Sequence, residues 1–185
     1  ELWDVGGIAV DIGPGLFTGM RVGIASAQAI AQVIDVSIIP VTSLDILASA
    51  VQTSNDVIAS VVDARRGEVY WSLYRMVDGK LKQVGKPQIG SPEMCAVDVL
   101  DRGQSTLLVG TGALKHETEF RERLNPVLPA LEIADDKYSM PLASTLVEIA
   151  HERALRGEWV QVEEVVPLYL RAPDAEINWA TRSAQ

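Results

Sequence analysis

The chain has 185 residues, 48% hydrophobic and 22% charged, with 16 Lys and Arg against 25 Asp and Glu, a formal net charge of −9 and one cysteine. That much apolar side chain can bury the core of one large or two small domains, which excludes disorder, and a lone Cys95 excludes an internal disulfide, a Cys-ligated zinc and an iron–sulfur cluster. The acidic balance argues against a protein that grips nucleic acid unaided, because clustered Lys and Arg supply most non-specific affinity. No apolar run approaches the roughly 20 residues of a membrane span and no basic segment precedes an apolar one at the start, so a cytoplasmic protein without a membrane role is expected.

Taken in order, Gly7-Ile8-Ala9-Val10 reads as a strand that leads straight into a glycine-rich turn. A fold rarely opens so abruptly on an interior strand, and the first residue is Glu1 rather than Met, which leads to the expectation that N-terminal sequence is missing. Arg21 to Ile34 reads as a helix, Asp35 to Val41 as a turn into a short buried strand, and Thr42 or Ser43 with Asp45 as the cap of a second helix. From Asp56 the texture changes. Val57 to Val62 and Val69 to Met76 read as strands around a charged turn, and Asp78-Gly79 supplies the positive φ values of a tight hairpin into Leu81-Lys82-Gln83-Val84. Ser91-Pro92 caps a short helix to Leu100, Thr106 to Val109 is a strand, a helix from Ala113 to Leu124 follows Gly110-Thr111-Gly112, and Leu131 to Ala134 is a short strand. Pro141 opens a long amphipathic helix that ends before Gly157, Val165 to Arg171 is extended, and the remainder is a polar, frayed tail. Three units are expected: 1–55, 56–140, and a helix with its tail, 141–185, packing back across both.

Two segments stand out as functional candidates. In Asp11-Ile12-Gly13-Pro14-Gly15-Leu16-Phe17-Thr18-Gly19-Met20-Arg21, the glycines allow tight turning or close approach, and a helix N-terminus follows. The spacing matches neither the Walker nor the dinucleotide-binding fingerprint, so a phosphate seat and a plain strand-to-helix connection both remain open. The helix after it carries no charged residue from Val22 to Ile34. A helix without a charged face is buried inside a domain or packed against a second chain.

Catalytic sets do not assemble. His116 and His151 fall on separate elements without zinc-site spacing, and Cys95 lacks a neighbouring histidine, which fits a small buried hydrophobe. Asp135-Asp136 and Glu163-Glu164 fit solvated surface. The hairpin Asp63 to Tyr70 reads as an exposed turn paired within itself, with recognition as the alternative.

Gly13-Pro14-Gly15-Leu16-Phe17-Thr18-Gly19-Met20-Arg21-Val22-Gly23, Val41-Thr42-Ser43-Leu44, Asp63-Ala64-Arg65 with Glu68-Val69-Tyr70, and Pro167-Leu168-Tyr169-Leu170-Arg171, in this order, resemble the TsaB (YeaZ-type) family along almost the whole chain. The resemblance implies an α/β, two-lobed actin/Hsp70-like (ASKHA, ribonuclease H-like) fold, with a first lobe lacking its N-terminal strands because these have no counterpart before Glu1. It implies a non-catalytic accessory subunit of a TsaD-type protein, which makes N6-threonylcarbamoyladenosine at position 37 of tRNA, with a TsaE-type ATPase recycling the assembly. It further implies a homodimer in isolation, tRNA contact only through the complex, no cofactor held by this chain alone, no metal, and ATP or ADP as a candidate ligand where the chain meets its partner. On the charge-free helix, Val22, Ala25, Ser26, Ala29 and Val33 follow helical spacing and are the expected contact face. The glycine-rich loop residues are Gly13, Pro14, Gly15, Thr18, Gly19 and Arg21; Leu16 stands where the family usually has Ser, which removes a hydroxyl. The rival readings are an autonomous actin-like ATPase or metallopeptidase-like enzyme, and a simple homodimeric binding module.

Overall fold

The structure, a computed structural model, describes residues 2–171, so the polar tail read from the sequence lies outside the described residues. The chain first builds a small parallel pair. Strands β1 (Ile8–Asp11) and β2 (Ile38–Val41) run in register from Ile8 opposite Ile38 to Asp11 opposite Val41. Helix α1 (Phe17–Ile34) crosses between them and lays Ile24, Ala27 and Ala31 onto Val10, Ile38 and Val165. It begins four residues before the expected Arg21, and the Met20 N–H donating to the Leu16 carbonyl at 3.0 Å closes its first turn. Glycine at position 19 disguised this turn in the sequence, because its backbone freedom makes it a poor helix former. Asp35, with φ 55°, ends the helix and donates its N–H to the Ala31 carbonyl.

Helix α2 (Ser43–Ser49) is capped by Thr42, whose hydroxyl accepts the Asp45 N–H at 3.0 Å. Its inner face, Leu44, Leu47 and Ala48, meets Ile58, Tyr74 and Val109 of the larger sheet. That sheet contains β3 (Val57–Arg65), β4 (Glu68–Val77), β5 (Lys80–Gln83), β6 (Gln88–Gly90), β7 (Thr106–Val109) and β8 (Leu131–Ile133) in the order β5-β4-β3-β7-β8. β3, β4 and β5 are antiparallel, as the hairpin signals predict, while β7 and β8 add on parallel to β3. β6, three residues long, pairs with the start of β4 and carries no periodicity that a sequence reading could detect. Asp78 and Gly79, with φ of 53° and 73°, form the tight turn.

One face of this sheet is covered by α3 (Pro92–Leu100), α4 (Thr111–Lys115) and α5 (Glu117–Leu124), around Trp71, Cys95, Val99, Leu108, Phe120 and Leu124. Ser91 caps α3 by accepting the Met94 N–H at 3.2 Å, with Pro92 at the first position. The single helix expected over Ala113 to Leu124 is instead two, broken at His116 with φ −110° and ψ 24°. The two halves have different anchors: Gly112 sits against Val61 of β3, and Phe120 and Leu124 belong to the core beside α3. One straight helix could not serve both. Helix α6 (Ala143–Leu155) starts two residues after the expected Pro141, packs Ala150 on Ile39, Val41 and Ile46, and stops before Gly157 at φ 72°. Arg153 of α6 donates to the Pro40 carbonyl at 2.8 Å and to Asp45 at 2.9 Å, and Tyr74 donates to the same carboxylate at 2.9 Å. The last described segment then returns to the small sheet: Val160 bridges Ile38, the Gln28 amide donates to the Val162 and Val165 carbonyls, and the Leu168 N–H to the Ile12 carbonyl at 2.8 Å. Among the described residues no helix is long and apolar enough to cross a membrane.

Candidate functional site

The glycine-rich segment is split between a turn and a helix. Gly13, Pro14 and Gly15 form the turn after β1, whereas Thr18, Gly19 and Arg21, expected in the loop, stand in the first turns of α1. Asp11 holds the turn in place: its carboxylate accepts the Gly13 N–H at 2.8 Å and the Ser43 hydroxyl at 2.8 Å, tying the turn to the start of α2. Burial pushes this carboxyl above its ordinary value, and the nearby Asp45 charge adds to the rise, although the Gly13 and Ser43 hydrogen bonds oppose it.

Glycine is required at some of these positions and not at others. Gly13 has φ 92°, a conformation that L side chains rarely adopt, and an added Cβ would strike the Met20 sulfur. At Gly15, Gly19 and Gly23 an added Cβ meets nothing within 4 Å, and φ is not positive. Gly110, at φ 112°, and Gly112 are different again, because a Cβ on either would run into the backbone of β3 around Val61 and Val62. The Gly110-Thr111-Gly112 motif is thus a close-packing device.

A cleft of about 670 Å³ opens beside the turn. Its walls are the start of α1, the β3–β4 hairpin and the extended run Leu168 to Arg171. Arg21 donates its Nε–H to the Tyr169 hydroxyl at 2.6 Å, and its guanidinium carbon lies 3.9 Å above the centre of the Phe17 ring. Phe17 and Tyr169 stand 5.8 Å apart, ring centre to ring centre. On the opposite wall the hairpin turns through Arg65, Arg66 and Gly67, all with positive φ, after a bulge between Asp63 and Arg65. The hairpin is paired within itself, as expected, only in part. Asp63 reaches out to Lys115 at 2.9 Å besides holding Arg65 at 3.6 Å, and Glu68 accepts from Arg171. The bulge and the left-handed residues spread these charges outward, and a self-contained turn would need a regular ladder. Partial burial pushes the Asp63 carboxyl up, but the Lys115 ammonium and the Arg65 backbone N–H outweigh it and hold the group below its ordinary value.

The five residues assigned to a contact face, Val22, Ala25, Ser26, Ala29 and Val33, are all exposed. They share the outward side of α1 with Gly19, Gly23 and Ile30; Val22 and Val33 are 60% and 70% exposed. His116 and His151 are not brought together: His116 sits at the α4–α5 break with Nδ1 3.8 Å from Glu119, and His151 is exposed on α6. Cys95 is fully buried, and burial pushes its thiol far above its ordinary value. Among the described residues, no three His, Cys, Asp or Glu cluster in a way that could hold a metal ion. Sequence reasoning missed the partnership of Phe17 and Arg21 with Tyr169, which are 148 positions from Arg21 to Tyr169. The available signal was an arginine and a tyrosine in two separate motifs, with Phe17 four positions before the arginine.

The family model described as "TsaD: tRNA N6-adenosine threonylcarbamoyltransferase" matches residues 1–179. The chain is 31% identical over 178 residues to the tRNA threonylcarbamoyladenosine biosynthesis protein TsaB of Bacillus subtilis, covering 95% of this chain and 74% of that protein. The Escherichia coli protein of the same name is 29% identical over 174 residues, covering 92% and 73%. Among solved structures, a Pseudomonas aeruginosa protein described as similar to peptidase YEAZ superposes with a TM-score of 0.76 at 31% identity, over 92% of this chain and 76% of that one. A second, named YeaZ from Pseudomonas aeruginosa, gives 0.72 at 29% identity over the same shares. The mixed α/β architecture with these neighbours is that of the actin/Hsp70-like class. Motifs, fold and relatives agree, and the chain belongs to the TsaB (YeaZ-type) family.

Proposed function

We propose that this chain takes part in tRNA threonylcarbamoyladenosine biosynthesis as a non-catalytic accessory subunit, binding a TsaD-type protein that transfers the threonylcarbamoyl group to adenosine 37 of tRNA. The relatives named above support the process. The observation that carries the subunit role is the outward side of α1: no charged residue from Val22 to Ile34, with Val22, Ile30 and Val33 exposed and glycines at 19 and 23 facing open space. A glycine in a helix interior costs about 1 kcal/mol relative to alanine, so two on one side that answer no internal crowding favour close approach by another helix. Val22, Ala25, Ser26, Ala29 and Val33 form the contact face in this reading, and in isolation the same face pairs two copies of the chain.

The net charge of −9 supports a division of labour in which the partner subunits hold the tRNA. A TsaE-type ATPase joins the assembly, ATP or ADP binds where this chain meets its partner, and the complex works in the cytoplasm. Size-exclusion chromatography with light scattering, on the full-length protein alone and mixed with the TsaD-type protein of the same organism, tests the reading. A stable heteromeric mass is expected, abolished by Ala29→Glu, which puts a charge in the middle of the face. Independent elution at micromolar concentrations, with or without nucleotide, would overturn the subunit role, and unchanged partner affinity in a folded Ala29→Glu variant would overturn the face.

A further inference from the structure

The positive charge of this acidic chain is distributed unevenly. Nine of its described Lys and Arg each hold a carboxylate within 4.0 Å, Arg21 rests on Tyr169 and Phe17, and Arg66 is engaged as well. The remaining four are Arg75, Lys80, Lys82 and Lys86, and their side chains make no hydrogen bond or ion pair among the described residues. All four lie in the β4–β5 hairpin and the loop that follows it.

The strand register concentrates them further. Lys82 stands directly opposite Arg75, and Lys80 opposite Val77, so these three cations leave the sheet on one face. Directly opposed residues have their Cβ atoms about 5 Å apart, where like charges repel. Elsewhere such a charge is answered, Arg102 by Asp98 and Lys115 by Asp63, but here no described carboxylate lies within 4.0 Å. Lys80, Lys82 and Lys86 are exposed, and β5 is an outer strand whose neighbour in the sheet is β4. Lysines on an outer strand keep further strands from adding to it, but that duty does not account for Arg75, which stands on β4, or for Lys86, which lies beyond β5. Met76, the exposed large apolar residue of this hairpin, projects from the opposite face, so the cationic side lacks the exposed apolar anchor around which a protein interface is built.

We propose that this edge is a docking surface for the phosphate backbone of a folded RNA, the tRNA of the assembly, with Arg75, Lys80, Lys82 and Lys86 answering its phosphate oxygens. The proposal rests on the subunit role stated above and adds to it: the partner subunits hold the tRNA, and this chain contributes a supporting contact that is too weak to grip RNA unaided against a net charge of −9. Contacts of this kind position a nucleic acid without reading its bases. Their strength falls steeply with salt, because each one releases counterions from the RNA.

The test is fluorescence anisotropy of a labelled, unmodified tRNA transcript, titrated with the full-length chain together with the TsaD-type protein of the same organism between about 50 and 300 mM salt. Light scattering on the same samples reports assembly. One variant combines Lys80→Gln, Lys82→Gln and Lys86→Gln, three exposed side chains without partners in the fold, and leaves the half-buried Arg75 in place. A control removes the same charge elsewhere through Arg121→Gln, Arg123→Gln and Arg156→Gln, whose exposed ion pairs contribute little to stability. The edge variant should bind tRNA ~10-fold or more weakly at the lowest salt and flatten the slope of log K against log salt by about 2–3, near one unit for each lost phosphate contact. The control should bind as the parent does. An edge variant within ~2-fold of the parent at every salt, or a control that weakens as much, overturns the proposal. So does an edge variant that self-associates while holding tRNA unchanged, which would leave the lysines only guarding an outer strand. An edge variant that no longer joins the TsaD-type protein assigns the surface to an acidic protein and overturns it as well. If the parent chain forms no assembly, the subunit role falls by itself, and the same titration of the chain alone at about 20 mM salt decides the edge. Binding there that is lost in the edge variant and kept in the control supports the proposal, and no binding overturns it.

Discussion

Replacing Gly110 by alanine separates glycines that the fold needs from glycines that it tolerates. Position 110 adopts φ 112° and ψ 173°, a region close to glycine-only, and an alanine there carries backbone strain of about 1–3 kcal/mol. Its Cβ would also lie under 3.0 Å from the Val61 carbonyl oxygen, with Leu47 Cδ1 at 3.1 Å and the Val61 carbonyl carbon at 3.2 Å. Two of these three atoms are backbone of the central strand β3, which cannot move without disturbing its pairing with β4 and β7, and overpacking of this kind costs a further 1–3 kcal/mol or so. The total, on the order of 4 kcal/mol, corresponds to a fall in Tm of roughly 8–16 °C for a chain of this size. Gly19→Ala, in open space on a helix, should instead raise Tm by about 1–3 °C, because alanine restricts the unfolded chain and suits the helix. Differential scanning calorimetry of the two variants beside the parent decides. A Gly110→Ala protein melting within about 2 °C of the parent would show that α4 does not approach β3 as described.

Asp11 and Asp63 should respond to pH with opposite signs. The Asp11 carboxyl is raised in the fold, so its contribution to stability is present at low pH and is lost as pH climbs from its ordinary value of 3.8 through the raised one. Asp11→Asn keeps acceptors for Gly13 and Ser43 and should melt with or above the parent at pH 7, the gap closing near pH 3; a constant deficit at every pH would contradict this. Asp63 is lowered, so its contribution is present above 3.8 and lost as pH falls through the lowered value. Lys115→Met, removing the ammonium at 2.9 Å, should cost about 1 kcal/mol near neutrality and nothing in strong acid, read from urea unfolding at both pH values. Trp71→Phe leaves Asp98 without the indole N–H at 2.9 Å and opens space beneath α3, and should cost about 2–3 kcal/mol in the same assay.

Local chemistry was legible in the sequence, and distant partnership was not. Thr42, Ser91-Pro92 and Asp78-Gly79 each act on residues two or three positions away, and the structure forms each as the pattern predicts. The start of α1 was misread because Gly19 breaks the helical texture, and the break at His116 because only contacts with β3 and α3 reveal that the two halves have separate anchors. At the site, the motifs named the right segments, but glycines alike in sequence proved unlike in space, Gly13 and Gly110 forced by φ and contacts, Gly15 and Gly19 not. Asp11 finding Ser43 and Glu68 finding Arg171 are products of the fold, across 32 and 103 positions.

The return of the last described segment to the small sheet carries a consequence for how the protein is made. Emerging from a ribosome, β1, α1 and β2 precede the larger sheet, yet Ile38 exchanges backbone hydrogen bonds with Val160 and Gln28 waits for the carbonyls of Val162 and Val165. The parts that close this unit are therefore synthesised only after the whole larger sheet. Loop closure over more than a hundred residues is entropically slow, so the nascent β1–α1–β2 unit stays incomplete, with the apolar side of α1 only partly covered, until translation has passed Val165. An early stop before Val160 would strand that surface permanently, which makes the 160s a quality checkpoint for the chain as well as a wall of the cleft.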